Sequence, residues 1–331
     1  RSEIDDYLIL EPHVEDMPEI NPEAPFDASV RQAIAADDAY IEALASEREA
    51  KGQIGVVRSA GRLQLTGTSN VGAIREVDDP IMDSTTTGVS GGLSISQLLY
   101  DGGRTSSSVN RATALAISAQ ANRLVKGNEI GLEAARSWID LWQYGERLRL
   151  ISERALVMGT LVDQIGRMAS SGMLDRASVD AARRQIVDVK LEETRLIAEH
   201  SEARISFKNF FRVVPSSLPR PAELIATDQA RIMLASLHES PTLLFGAANV
   251  LAARAALDAA QSEFRPKAFL RAGAQSPWEE NESTDVTTGI SIEYSFNDGG
   301  RRQNVLKTAA AGLEATEARF RDIKNNLKTG L

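Results

Sequence analysis

Two stretches of this chain alternate apolar and polar residues at every second position, the pattern of a β-strand that faces two environments. From Val286 to Arg301, VTTGISIEYSFNDGGR, the residues Val286, Ile290, Ile292, Tyr294 and Phe296 alternate with Thr287, Ser291, Glu293, Ser295 and Asn297. From Val89 to Arg104, VSGGLSISQLLYDGGR, which lies 197 residues upstream, Val89, Leu93, Ile95 and Leu99 stand against Ser90, Ser94 and Ser96. Both copies end in Asp-Gly-Gly-Arg. Asp101, Gly102 and Gly103, and likewise Asp298, Gly299 and Gly300, therefore predict strand-to-helix turns: the glycines are free to take positive φ, and the aspartate can cap the helix that the arginine opens.

Elsewhere the apolar period is helical. Val30, Ile34, Ile41 and Leu44 fall on one side of a helix expected from Asp27 to about Arg58, and the first-repeat helical region is taken as 28–62. A weak strand, Leu63 to Val71, and an acidic, Thr-rich tip, Arg75 to Thr87, complete a β-hairpin over 63–100. Residues 104–214 contain no proline and are rich in Ala, Leu, Glu, Arg and Gln, the composition of very long helices. One break is visible, at Ala169 to Leu174, where Ser-Ser-Gly interrupts the pattern and Asp175 can start a new helix. The region 101–214 is thus a helical hairpin with its tip near Gly172, its arms on the order of 100 Å and 60 Å long. Leu141, Leu148, Ile151, Leu156, Leu161 and Ile165 recur at heptad-like intervals and predict lateral packing against further helices.

After a proline-marked linker, 215–222, the order begins again: a helix over 223–265, a hairpin over 266–297, and the start of a second long helix over 298–331. Matching helical parts gives an offset of 203 residues and matching strands one of 197, which places the length difference in the hairpin tip, where insertions are tolerated. The first copy continues for more than a hundred residues past Gly103, whereas 31 follow Gly300, so the second helical hairpin is expected to extend beyond Leu331. Residues 1–27 hold four of the eleven prolines among many acids and read as an extended arm. Arg1 is preceded by neither an initiator Met nor an apolar secretion segment, as in a mature or trimmed product.

Composition narrows the chemistry. Aromatic content is 5% and the net charge is −9, without a basic block of the kind that follows a phosphate backbone, which argues against nucleic acid. The absence of cysteine removes disulfides, thiolate metal sites and cysteine nucleophiles. No run of about 18 uncharged apolar residues occurs, the best being Leu243 to Ala253, so membrane contact is expected from strands. His13, His200 and His238 stand apart from one another and from any HExxH or nucleophile pattern, and no metal ligand, cofactor site or catalytic residue is assigned. Trp138, Trp142 and Tyr144 fall on helix interiors, where packing between helices is the first reading. The acid excess fits a cation or a basic partner surface better than a phosphate backbone.

The duplicated order of helix, hairpin and long helical hairpin, together with Ser96-Gln97-Leu98-Leu99-Tyr100-Asp101-Gly102-Gly103-Arg104 and its copy, resembles the TolC family of outer-membrane efflux and secretion channels. The Ser240-Pro241 helix entry, the Arg265-Pro266 strand entry, and Gly172 followed by Val179 and Ala182 carry the same likeness, which runs from about Asp27 to Leu331. The fold class this implies is mostly α with transmembrane β. Long helical hairpins form a periplasmic α-barrel, and two β-hairpins, four strands per chain, enter one 12-stranded outer-membrane β-barrel shared by a homotrimer. Strand arithmetic agrees: four strands cannot close a barrel when the smallest have about 8, and strands of about 11 to 12 residues suit a tilted crossing.

The resemblance further implies a location in the outer membrane of a Gram-negative bacterium, contacting its lipid and extending into the periplasm. Its partners would be a periplasmic adaptor protein and an inner-membrane transporter, in drug efflux or type I protein secretion. The adaptor-contact tip would be Gly172, Met173 and Leu174, and the Asp-Gly-Gly turns would lie at the membrane's periplasmic edge. An enzymatic role is not expected. The competing class is a non-pore helical scaffold or adaptor-like coiled-coil protein of the envelope. Two departures from the family pattern concern local geometry: Leu63 stands where the family, and this chain's own Pro266, has proline, and Ser178 stands where the family usually has Asp before Val.

Overall fold

The computed structural model describes residues 25–76, 84–215, 218–221, 240–276 and 283–329. Among these are six helices, α1 (Phe26–Ala36), α2 (Asp38–Ser59), α3 (Arg104–Ser170), α4 (Arg176–Phe211), α5 (Pro241–Ser262) and α6 (Arg301–Thr329). Four strands accompany them, β1 (Gln64–Glu76), β2 (Ser84–Tyr100), β3 (Lys267–Gln275) and β4 (Asp285–Glu293). The architecture is the expected one, long helices with a four-stranded antiparallel sheet. The chain divides into two compact units, one of Arg1–Ala43 and Leu124–Met233 and the other of Leu44–Arg123 and Leu234–Leu331; α2 and α3 have residues in both.

In the first unit, Trp138 of α3, Phe207 and Phe211 of α4 and Phe26 of α1 are buried together. Trp138 meets Phe26 and Phe211 edge to face, each at 5.3 Å between centroids, while Phe207 stacks on Phe211 at 4.4 Å. Such pairs add about 1 kcal/mol each to the burial of their area. The indole Nε1 donates to the Pro219 carbonyl at 3.3 Å, so this ring is core and its polar atom is satisfied. On α4 the buried positions Val189, Leu196, Ala203 and Phe207 recur at seven and four residues, a seam that lets two long helices run side by side. The stripe expected on α3 splits. Leu141 is buried and Leu148, Ile151 and Ile165 are half-buried, but Leu156 and Leu161 are exposed.

One expected helix is two. The run from Asp27 to Arg58 breaks at Asp37, which is extended at ψ 132° and accepts from the Ala39 amide through Oδ1 at 2.9 Å, so it starts α2 as an N-cap. Helix α1 begins at Phe26, inside the segment expected as arm, and residues 1–24 lie outside the described residues. Arg212, at φ 62°, ends α4, and its guanidinium donates to the Ala36 carbonyl at the end of α1 at 3.2 Å.

In the second unit, Glu47 is buried between Arg123 Nε at 2.6 Å and Lys51 Nζ at 2.5 Å. Hydrogen bonds from Lys51 and then Arg123, with their charges, hold its carboxyl below the usual range despite burial. Helix α5 packs on α6 so closely that a Cβ at Gly246 would sit 2.7 Å from Phe320. Its best 18-residue window has a mean hydropathy of 1.4, so contrary to the shorter apolar run expected, it is long and apolar enough by composition to cross a membrane. It carries Arg254 and Asp258 and faces α6 through small residues, as a packed helix does. The expected helical residues 223–239 before it lie outside the described residues.

The sheet has the order β1-β2-β3-β4 and is antiparallel throughout. Gln64 pairs with Ser96, and Lys267 pairs with Glu293. Offsets of 203 and 197 convert one pair into the other, so the two hairpins are the same in register. Two boundaries differ from expectation. The first hairpin is longer, with Arg75, Glu76 and Ser84 to Thr87 in its strands and 77–83 outside the described residues. Strand β4 stops at Glu293, so Tyr294 and Phe296 are not in it, although β2 continues to Tyr100. The reason lies in the pairing: β2 between Gln97 and Tyr100 is held by β3, at Leu270 to Ala268, and among the described residues β4 has no strand on its far side.

Candidate functional site

The sheet sorts its side chains by face. Because register fixes which residues lie abreast, one face carries Leu65 and Val71 of β1, Val89, Leu93 and Ile95 of β2, Ala272 and Leu270 of β3, and Val286, Ile290 and Ile292 of β4. The opposite face carries Thr66, Thr68, Ser94, Ser96, Arg271, Thr287, Ser291 and Glu293. The apolar face is not buried: Val71 is 80% exposed, Val286 76% and Ile292 73%. On the polar face Arg271 pairs with Glu293 across the hairpin. Along β2 the apolar face runs from Tyr100, opposite Ala268, to Val89, ten residue steps once the register shift after Leu98 is allowed for, about 33 Å along the strand, or about 25 Å at a tilt of about 40°.

Each strand of the repeated pair runs into a turn of matching geometry. Gly102 and Gly103 have φ 69° and 91°, and Gly299 and Gly300 have φ 65° and 84°. Asp101 accepts from the Gly103 amide at 3.0 Å and the Thr105 amide at 2.6 Å, capping α3. Asp298 accepts from the Gly300 amide at 3.1 Å and the Arg302 amide at 3.0 Å, capping α6. Burial acts to raise the Asp101 carboxyl, but hydrogen bonds from Thr105, Gly103 and Arg104 prevail and hold it below the ordinary range; Asp298 is lowered likewise by Arg302 and Gly300. The arginines that follow, Arg104 and Arg301, both reach Glu263 at the end of α5, at 3.5 and 3.1 Å.

The two turns differ in their cover. Arg265 packs on the first, its Nη1 donating to the Gly102 carbonyl at 2.9 Å, and a Cβ at Gly102 would lie 2.6 Å from that of Arg265. At Gly299 such a Cβ would meet nothing within 4 Å. The Leu63 departure leaves the approach unchanged: Arg62 donates its amide to Ser59 at 2.9 Å, as Arg265 does to Ser262 at 3.0 Å.

At the hairpin tip Gly172 has φ 79°, with its amide donating to Ala169 at 3.1 Å and that of Met173 to Met168 at 3.0 Å, a Schellman ending that a glycine favours. Asp175 then caps α4, accepting from the Ser178 amide at 3.0 Å and its hydroxyl at 2.5 Å. The Ser178 departure therefore keeps a cap, now built on Asp175, whose carboxyl these bonds lower. Met173 is 68% exposed and Leu174 half-buried. Sequence reasoning missed Arg265 as the residue closing the first turn; its only signal was its position two residues before β3.

Trp142 is half-buried with Arg220 over its ring at 5.9 Å, and His200 lies half-buried beside Gly145; His13 and His238 fall outside the described residues. Among the described residues no group of three or more His, Cys, Asp or Glu is placed to hold a metal. A cleft of about 880 Å³ in the second unit lies among α2, the start of α3, α5 and β3, with Glu49, Asp101, Arg104, Arg111 and Lys267 among small and apolar residues in its lining.

No protein-family model and no curated protein sequence matches the chain. Solved structures do. The outer membrane protein VceC of Vibrio cholerae is similar with a TM-score of 0.78 at 15% identity, over 90% of this chain and 75% of that one. CusC, described for the conformational changes accompanying folding and transmembrane channel formation, gives 0.76 at 17% over 90% and 72%. The Campylobacter jejuni CmeC outer membrane channel gives 0.74 at 12% over 91% and 67%. Sequence likeness this low speaks to architecture alone, and on that ground the chain has the fold of outer-membrane channel proteins, the fold that its resemblance to the TolC family implies.

Proposed function

We propose that this chain is the wall subunit of a passive outer-membrane exit channel in a tripartite export system, acting as a homotrimer. The observation that carries this reading is the sheet: one face apolar and exposed on all four strands, the other polar, with an apolar height of about 25 Å that matches a bilayer-facing band. The apolar face meets lipid and the polar face lines the lumen. Both outer edges of the sheet need partners, because open edges are not tolerated in hydrocarbon, and three copies of four strands close a barrel of 12. The long helices continue the duct into the periplasm, an inner-membrane transporter supplies energy, and no bond is made or broken in the cargo.

The test is direct. The protein should fractionate with outer membranes as a heat-resistant oligomer and conduct ions in a planar bilayer; an envelope scaffold would do neither, and a soluble, non-conducting product sinks the proposal. A gene deletion scored for both drug sensitivity and loss of a secreted protein divides efflux from type I secretion.

The tip Gly172-Met173-Leu174 is read as the contact for a periplasmic adaptor, on the exposure of Met173 at a tightly closed, capped turn. Met173→Glu should abolish adaptor capture in a pull-down while leaving the oligomer intact; normal capture and export by this variant would count against the assignment.

A further inference from the structure

The chain holds one complete junction between its two repeats and the two unjoined halves of another. In the complete one, β2 runs beside β3, and Arg265 closes the Asp101-Gly102-Gly103 turn through the Gly102 carbonyl. The repeat relation carries β2 onto β4 and β3 onto β1, hence Gly102 onto Gly299 and Arg265 onto Arg62. Both halves of the second junction are already formed. The Gly299 turn has the φ values and capping bonds of its copy, and the turn leading to Arg62 has the hydrogen bonds of that leading to Arg265. Arg62 is exposed, Gly299 is open, and Tyr294 to Asn297 lie outside β4 although Gln97, Leu98 and Tyr100, the copies of Tyr294, Ser295 and Asn297, are paired with β3.

We infer that Arg62 of a second copy of this chain closes the Gly299 turn, donating its guanidinium to the Gly299 carbonyl, with β4 paired to the second copy's β1 in one defined register. The observed pairs Leu93 with Ala274, Ser94 with Gly273 and Ile95 with Ala272 become Ile290 with Val71, Ser291 with Asn70 and Ile292 with Ser69. Tyr294 then falls opposite Gly67, an aromatic ring over a strand glycine. Apolar meets the apolar face and polar the polar face across the seam; a shift by one residue would exchange them. The inference rests on the channel reading and adds its contact geometry.

The cysteine-free sequence makes the test clean. Asn70→Cys with Ser291→Cys should form intermolecular disulfides on mild oxidation of the membrane-embedded oligomer, since paired residues lie about 5 Å apart at Cα. Asn70→Cys with Ile290→Cys places the thiols on opposite faces and should form none. Arg62→Ala should lower the temperature at which the oligomer dissociates on a gel, with the helix content of the chain unchanged. Gly299→Ala should do so more than Gly300→Ala, because both strain a positive φ and only the first meets the arginine. Cross-linking by the offset pair, or none by the predicted pair in an intact oligomer, overturns the seam. Recovery of the unmutated chain only as a monomer overturns the channel reading, and the seam with it.

Discussion

The ring cluster around Trp138 and the sheet around Ile290 treat apolar residues in opposite ways. In the first unit Trp138, Phe207 and Phe211 are fully buried and the helix surfaces around them are charged, as in a protein dissolved in water. In the second unit the sheet turns Val71, Val286 and Ile292 outward and keeps its serines, threonines and one ion pair on the reverse. Hydrophobic burial drives the first arrangement; in the second, the apolar side chains lie uncovered by the described chain, and on the channel reading they meet lipid.

The largest effect should come from the ring cluster: Trp138→Ala removes contacts to three rings and should cost about 4 kcal/mol of stability, read by denaturant unfolding of the chain. Ile290→Arg tests the other side of the contrast. A charge on the lipid-facing side should cost about 3 kcal/mol in folding into lipid vesicles, less nearer the interfaces. If that face met water, the same change would be neutral. Gly172→Ala should cost about 1 kcal/mol, because the strain of positive φ falls on a turn with open space around it and no packing is lost.

Smallest is a pH effect at the helix starts. Asp101, Asp298 and Asp175 are all lowered in the folded chain, so their contribution is complete above the ordinary aspartate value of about 4 and fades as pH falls through the depressed native values. Amide exchange at Thr105, Arg302 and Ser178 should rise over that interval, after correction for the intrinsic rate, while protection around Trp138 holds.

Alternation from Val89 and from Val286, the doubled Asp-Gly-Gly and the proline-free stretch after Arg104 made the strands, turns and long helices legible, because each is a local signal. The break at Gly172 was legible for the same reason. What escaped reading depends on neighbours. Nothing local distinguishes Asp37 from any helical acid until its ψ angle breaks the helix. The heptad-like spacing predicts Leu156 in a packing stripe, yet it is exposed, and the alternation predicts Tyr294 in a strand, yet among the described residues no strand lies beside β4 to hold it. Arg265 shows the same limit, since its role is set by a glycine 163 residues away.

The unequal hairpins carry one more consequence. Among the described residues the ladder of β3 with β2 reaches Gly92, with Ser276 bonded to Gly91 beyond it, and the first hairpin continues from Gly92 for eight more pairs, to Glu76 and Ser84. The outermost five, Gly72 to Glu76 against Ser84 to Gly88, stand beyond Val71 and Val89 and so beyond the apolar band. On the channel reading these five pairs of the first repeat stand clear of the lipid at the mouth, three ribbons in the trimer that an antibody, a phage or a protease would reach.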